Sequence, residues 1–435
     1  MHHAEQPKLT FRTEALEPDA HFGVPHLVDL LPAQDPVAWI RRGEGMVGWG
    51  VAARLQVRGD ETFSRAQRWW NRLLADSRIA DSVDMPGTGA VAFASFAFDL
   101  NELSEIVIPK FVVGTKGGQS WITTVSTDSD VSNIKTVNTV NSDSANEATH
   151  NVIRQPAPVG PTEVTWSNGS LSPHDWEKAV ATAVERIQAG ELDKVVLARD
   201  LIAQIDGELD IRYMINRLAA AYPTCWTFVV RNLVGATPEL LVRRTGNVVM
   251  SRVLAGTVRR QGNASTDSEL ANALLNSDKD LAEHAYAVHS VARALAAHCT
   301  DLEVPETPQV LELSNVQHLA TDVTGQLAIE APILALVASL HPTAAVCGTP
   351  TERAKIMISD LEGMNRKRYA GPVGWFDHHG DGEFGIALRC AEVDPQEKTV
   401  RSFAGCGIVA GSDPEMELAE SIAKLAPIRD SLAGD

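Results

Sequence analysis

Cysteine is scarce in this chain and follows no pattern. Cys225, Cys299, Cys347, Cys390 and Cys406 are odd in number, scattered and nowhere in C-x-x-C spacing. The sequence therefore encodes neither a disulfide framework nor a zinc ribbon, and a reducing cytoplasm is the expected compartment. Long apolar runs are also missing. No stretch reaches 18 consecutive apolar residues, and residues 1–10 lack the basic and apolar regions of a signal peptide, so neither membrane spanning nor secretion is expected. Positive charge is outnumbered, with 38 Lys and Arg against 56 Asp and Glu for a net charge of −18. Such a field repels phosphate backbones and anionic headgroups, which argues against nucleic acid and membrane partners.

What is present can build a core: 44% of the 435 residues are hydrophobic and only 22% charged, enough for one large or two ordinary domains. Residues 115–165 are crowded with Ser, Thr, Asn and Asp and end in Pro156, Pro158 and Pro161, the texture of a loop-rich joint. Before it lie an amphipathic stretch over 61–79, with Trp69, Trp70, Leu73 and Leu74, and an apolar run over 90–98 short enough for a buried strand. After it, Ser172-Pro173-His174-Asp175 opens a helix that runs to Gly190. Strand-like runs follow over 194–205, 226–231 and 240–243, the last joined by a Gly246 turn to 248–259. Helices are predicted over 268–275 and 277–298, then strands over 371–376, 383–393 and 400–404. A terminal helix is expected from Asp413-Pro414 to Ala426. Mixed strands and long helices without regular βαβ alternation predict an α+β fold with large antiparallel sheets.

Two helices carry acids at i,i+3 spacing: Asp280 with Glu283, and Glu417 with Glu420, the latter followed by Lys424. If two such faces met at a cleft they would suit Mg2+, a hard cation that takes one or two carboxylates and lets an anionic substrate complete its shell. Spacing alone equally fits solvated helix faces. Gly405-Cys406-Gly407 and Gly411 lead toward the last helix as backbone able to approach an anion, but their spacing is wrong for a dinucleotide fingerprint. The pair His378-His379 lies in a Gly- and Asp-rich turn and is assigned only to a hairpin tip. Lys194 begins an apolar strand, where it either faces water or enters a desolvated setting that would make it a usable base. Glu239, in Thr237-Pro238-Glu239-Leu240-Leu241, is either a surface acid or, if buried, a general acid.

From Leu171 onward the chain resembles the chorismate-utilising enzymes, the family of isochorismate, salicylate, anthranilate and aminodeoxychorismate synthases. The resemblance rests on ordered motifs: Leu192-Asp193-Lys194-Val195-Val196-Leu197-Ala198-Arg199, Ala236-Thr237-Pro238-Glu239, Leu254-Ala255-Gly256-Thr257, Ser277-Asp278-Lys279-Asp280-Leu281-Ala282-Glu283-His284, Val316-Gln317-His318-Leu319, His341-Pro342-Thr343, Tyr369-Ala370-Gly371-Pro372-Val373-Gly374-Trp375 and Ala404-Gly405-Cys406-Gly407-Ile408.

The resemblance implies large antiparallel sheets packed face to face with helices outside. It implies a single large domain over 1–435, in which a less regular 1–160 completes the sheets and 171–430 binds chorismate. It implies Mg2+ as cofactor, and a monomer. Lys194 would deprotonate water for attack at ring carbon 2 of chorismate, and Glu239 would protonate the hydroxyl leaving carbon 4. Glu283 and Glu420 would ligate Mg2+, with Asp280 and Glu417 as companions through water. Tyr369, Arg389, Lys424 and the backbone of Gly405 and Gly407 would contact the enolpyruvyl carboxylate, and Gly256, Thr257 and His318 would line the site. Lys194 and Ala255 stand where aminating members differ, and Ala345 where pyruvate-eliminating salicylate synthases tend to carry threonine. The expected reaction is hydroxyl exchange giving isochorismate, for menaquinone or a catecholate siderophore. The alternatives are a salicylate synthase and a non-catalytic binder.

Overall fold

The computed structural model describes residues 8–16, 26–127, 155–314 and 316–433. Two large sheets dominate it. The 13-stranded sheet runs in the order Glu163–Asn168, Lys194–Asp206, Thr399–Ile408, Cys390–Asp394, Leu233–Thr237, Trp226–Val230, Val37–Arg41, Glu44–Trp49, Phe111–Lys116, Gln119–Thr127, Leu9–Leu16 and Arg78–Asp81, with Gly348–Thr349 beside Lys194–Asp206. The 10-stranded sheet runs Cys299–Glu303, Val316–Leu327, Val248–Arg259, Leu240–Thr245, Gly382–Ile386, Pro372–Asp377, Val91–Ser95, Ser104–Ile108 and Ala53–Val57, with Gln309–Glu312 also on Val316–Leu327. In each sheet the strands from before residue 128 form one end and those from after residue 154 the other, joined where Val37–Arg41 pairs with Trp226–Val230 and where Val91–Ser95 pairs with Pro372–Asp377. Leu9–Leu16 pairs with Arg78–Asp81 in parallel, whereas the strands around the cleft described below pair antiparallel. The sheets pack against each other: Trp39 Nε1 in the first donates to Glu383 Oε1 in the second at 3.2 Å. The expected α+β class with large antiparallel sheets is borne out.

Helices α1 (Thr62–Ala75), α2 (Pro173–Gln188), α3 (Ile211–Ala221), α4 (Ala264–Leu275), α5 (Asp278–Ala296), α6 (Ile333–Leu340), α7 (Thr351–Leu361) and α8 (Pro414–Leu432) pack on these sheets. Local capping explains where several begin. Ser172 Oγ accepts from the Asp175 amide, Ser277 Oγ from that of Asp280, and Asp413 Oδ1 from that of Met416. Among the described residues no helix is long and apolar enough to cross a membrane.

Four sequence expectations need correction. Helix α4 starts at Ala264, four residues early, because Asn263 caps it. Helix α8 passes through Pro427 to Leu432 and does not stop at Ala426, since burial of Leu425, Ile428 and Leu432 outweighs the lost amide. The stretch 383–393 is two strands in different sheets, Gly382–Ile386 and Cys390–Asp394. The strand over 400–404 continues to Ile408, so Gly405 and Gly407 are ladder residues paired with Ala198 and Val196, not a lead-in to the helix. Of the loop-rich joint, residues 128–154 lie outside the described residues.

Candidate active site

The chain crosses from one sheet to the other twice around a single cleft. The first crossing is Pro238-Glu239, between Leu233–Thr237 and Leu240–Thr245; the second is Ala387-Leu388-Arg389, between Gly382–Ile386 and Cys390–Asp394. Side chains at these crossings face the gap between the sheets. Glu239 is 5% exposed, and burial pushes its carboxyl up to about 8 against the opposing pull of Lys194, Arg389 and Lys424. It is therefore largely protonated at neutral pH.

Lys194 opens the strand Lys194–Asp206 and is wholly buried. Its Nζ lies 3.2 Å from Glu283 Oε1, yet among the described residues it has no acceptor in hydrogen-bonding geometry. Gly407 makes this approach possible, because a Cβ there would sit 2.1 Å from Glu283 Oε1 and 3.1 Å from Lys194 Cε.

On the facing sheet, a register shift between Ala255 and Thr257 marks a bulge at Gly256, whose φ of +75° suits glycine. The bulge brings Thr257 opposite His318, and Thr257 Oγ1 lies 3.0 Å from His318 Nδ1. Arg389 Nη2 approaches His318 Nε2 at 3.3 Å. Burial first, then Arg389 and Lys424, hold His318 well below its ordinary pKa. The ring is thus neutral: Nε2 accepts from the guanidinium, which can only donate, so Nδ1 carries the proton, with Thr257 Oγ1 and the Gly256 backbone beside the ring. Tyr369 stacks on Phe403 at 5.1 Å between centroids, and burial raises its hydroxyl pKa.

Helices α5 and α8 bring the four acids together. Lys424 Nζ donates to Gly405 O at 2.9 Å and pairs with Glu420 Oε1 at 2.5 Å. Burial works against the Lys424 charge, but Glu420 raises its pKa above the ordinary range. Glu417 is buried and pairs with Lys279 Nζ at 2.9 Å. Burial and then Glu420 raise the Glu417 pKa; burial, with Glu283 and Glu420, raises that of Asp280. One atom each from Cys406, Glu417 and Glu420 lie within 4.8 Å of one another. Burial pushes the Cys406 thiol well up, so it stays protonated and the usable donors are carboxylate oxygens. Crowded, partly buried carboxylates of this kind fit a hard divalent cation.

The profile of the family described as "Chorismate binding enzyme" matches residues 32–433. The chain belongs to that family. It is 39% identical over 269 residues to the isochorismate synthase MenF of Bacillus subtilis, covering 61% of this chain but only 57% of that protein's length. It is 32% identical over 408 residues to the salicylate biosynthesis isochorismate synthase of Pseudomonas aeruginosa, covering 91% of this chain and 84% of the relative. The solved structure of MenF, the menaquinone-specific isochorismate synthase of Escherichia coli, superposes with a TM-score of 0.79 at 26% identity, covering 98% of this chain and 95% of the other.

In this chorismate-binding enzyme, all the expected substrate contacts, together with Glu239 and Glu283, line one cleft of ≈ 620 Å³ including the solvent at its mouth. Lys194, Asp280, Glu417 and Glu420 are not part of that lining. The sequence reading passed over the apolar walls, Val196, Leu254, Val346, Leu388 and Phe403. Each sits within two residues of a flagged position, so that proximity was the available signal. It also missed Arg366, whose Nη1 and Nη2 donate to Val346 O and Val196 O at 2.8 and 2.7 Å.

Proposed function

We propose that this protein is an isochorismate synthase. The reading is carried by one observation: Glu239, a buried carboxyl with its pKa raised to about 8, lines the cleft within electrostatic reach of the buried amine of Lys194. Lys194 takes a proton from the water that adds at C2 of chorismate. Glu239 gives its proton to the C4 hydroxyl, which departs as water, while the two ring double bonds shift between. One water enters and one leaves, so the product is an isomer of the substrate.

Chorismate is a dianion, and Arg389 and Lys424 offer positive charge in the cleft. The backbone of Gly405 and Gly407 lines the same cleft and would contact the enolpyruvyl carboxylate. Glu283 and Glu420, with Asp280 and Glu417 beside them, would hold Mg2+, which would supply positive charge for the ring carboxylate. Tyr369 and the His318–Thr257 pair fix orientation. Ala345 leaves space in the wall.

The test is product analysis of purified protein with chorismate and Mg2+. Isochorismate is the expected product, lost with EDTA and in Lys194→Ala. Accumulation of salicylate and pyruvate would replace this reading with a lyase. Binding without turnover, indifferent to EDTA, would make the protein a non-catalytic binder.

A further inference from the structure

The sequence assigned no role to His378-His379 beyond a hairpin tip, and the pair does occupy the turn between Pro372–Asp377 and Gly382–Ile386. The structure adds a third residue from a distant part of the chain. Asp81, the last residue of the strand Arg78–Asp81, meets both histidines, with one donor atom of each of the three within 4.8 Å of the others. We propose that Asp81, His378 and His379 form a second metal site, separate from the acidic cluster of α5 and α8 and selective for a borderline transition ion of the Zn2+ class.

The ligand chemistry distinguishes it from the first site. Two imidazoles and one carboxylate are a donor set that suits Zn2+ and its neighbours, whereas Mg2+ prefers oxygen alone. Consecutive residues of a strand point to opposite faces. Here the turn places both rings on one side, with centroids 3.8 Å apart. His378 Nδ1 is buried and, among the described residues, has no hydrogen-bond partner. A Cβ on Gly89 would stand 2.3 Å from His378 Cε1, 2.9 Å from that Nδ1 and 3.1 Å from Asp81 Oδ2, so the glycine is what lets the His378 ring lie close to Asp81. An orphaned imidazole nitrogen beside a carboxylate and a second imidazole leaves a donor set whose needs an ion would meet.

The site is also preorganised. Asp377 Oδ1 accepts the amides of His379 and Asp381, both at 3.0 Å, and its Oδ2 accepts that of Gly87 at 3.0 Å. Asp81 Oδ1 accepts from Val83 N at 2.9 Å and Asp84 N at 3.2 Å, and Oδ2 from Thr88 Oγ1 at 2.5 Å. These bonds hold both loops and leave a lone pair on Asp81 Oδ2 free for an ion. Asp84, with Oδ1 3.6 Å from His379 Nε2, stands beside the opening. A bound ion would tie the edge of the 13-stranded sheet to a hairpin of the 10-stranded one.

Co2+ and Zn2+ titration of the full chain tests this, with Mg2+ in excess to occupy the acidic cluster. His2→Ala/His3→Ala serves as background, because the N-terminal histidines are ligands in their own right. One equivalent of Co2+ should bind with the visible d–d absorption of nitrogen ligation, and be displaced by Zn2+. His379→Ala, at an exposed position, should weaken binding by more than about 100-fold, and His378→Gln should do the same. Both should leave turnover of chorismate with Mg2+ and the far-ultraviolet circular dichroism unchanged. Absence of a bound equivalent, or binding unaltered in both variants, overturns the proposal.

Discussion

Glu239 and Arg389 stand at the two sheet crossings, and each crossing is bonded to the other: the Glu239 carbonyl accepts the Ile386 amide at 3.2 Å, and the Arg389 carbonyl accepts the Ala236 amide at 3.1 Å. Where a chain leaves one sheet for the next, its side chains point into the gap between them. Here that places an acid and a guanidinium in the same cleft, braced by backbone and not by a loose loop. Arg389 takes φ of +47° to make the turn, a left-handed conformation that costs about 1–2 kcal/mol for a residue with a side chain. The surrounding ladder bonds offset that strain.

Glu239→Gln separates the two consequences of this placement. With its carboxyl raised from 4.5 to about 8 in the fold, Glu239 costs no stability below pH about 4.5. Stability then falls as pH rises toward about 8, because the unfolded chain ionises while the fold resists. The amide removes that slope, so melting temperature measured against pH should be flatter for the variant and higher than wild type near pH 8. Turnover should drop by about 10²–10⁴-fold, equivalent to about 3–5 kcal/mol of barrier. In the wild type, kcat should decline above pH about 8 as the acid loses its proton. A stable variant with undiminished kcat would remove Glu239 from the chemistry.

Gly407→Ala should act on the cation site without unfolding the protein. The new methyl would stand 2.1 Å from Glu283 Oε1 and 3.1 Å from Lys194 Cε, and both are far ends of side chains that can move. Displacing a ligating carboxylate should raise the Mg2+ concentration needed for half-maximal activity by about 10–100-fold. A Mg2+ titration of activity, with a thermal melt as folding control, reads this directly.

How much of the site was visible beforehand varied with the kind of interaction. Lys194, Glu239 and the two acidic helices sit in ordered motifs, and helix starts at Ser172, Ser277 and Asp413 are local events written in a few adjacent residues. The crossing at 387–389 was read through as continuous strand, because apolar alternation does not record which sheet a residue joins. Pro427 carried a local stop signal that distant packing of Ile428 and Leu432 overrode. The partners of Arg366 were invisible because the carbonyls of Val196 and Val346 belong to segments that meet it only in the fold. Asp81 was likewise unrelated to His378 until the strand Arg78–Asp81 came beside the hairpin.

The buried pair Glu362–Arg366 should be costly to break and cheaper to replace. Glu362 Oε1 accepts the Ala198 amide at 2.7 Å while Arg366 holds the two wall carbonyls. Both side chains are almost wholly buried. Arg366→Met alone leaves an uncompensated carboxylate and should lower stability by about 3–5 kcal/mol in urea unfolding. Adding Glu362→Leu should recover part of that loss. Because Val196 and Val346 line the cleft, KM should rise in the double variant more than kcat falls.

Mg2+ should stabilise the protein most where the four acids are charged. Burial raises the pKa of Asp280 and Glu417, and neighbouring carboxylates raise each further. A raised carboxyl leaves stability intact below its unfolded pKa and reduces it as pH climbs through the folded value. In EDTA the melting temperature should therefore increase as pH is lowered from neutrality toward about 5, where protons relieve the repulsion. A divalent ion relieves the same repulsion without protons. Its effect should follow mass action, about 2.7 kcal/mol at 100-fold above its dissociation constant, and should shrink on acidification as protons compete for the oxygens. Glu420→Gln should abolish most of the Mg2+-induced shift in melting temperature while raising the melting temperature in EDTA. The opposite sign in EDTA would mean that Glu420 serves the fold through its ion pair with Lys424 more than it burdens it by repelling Glu417.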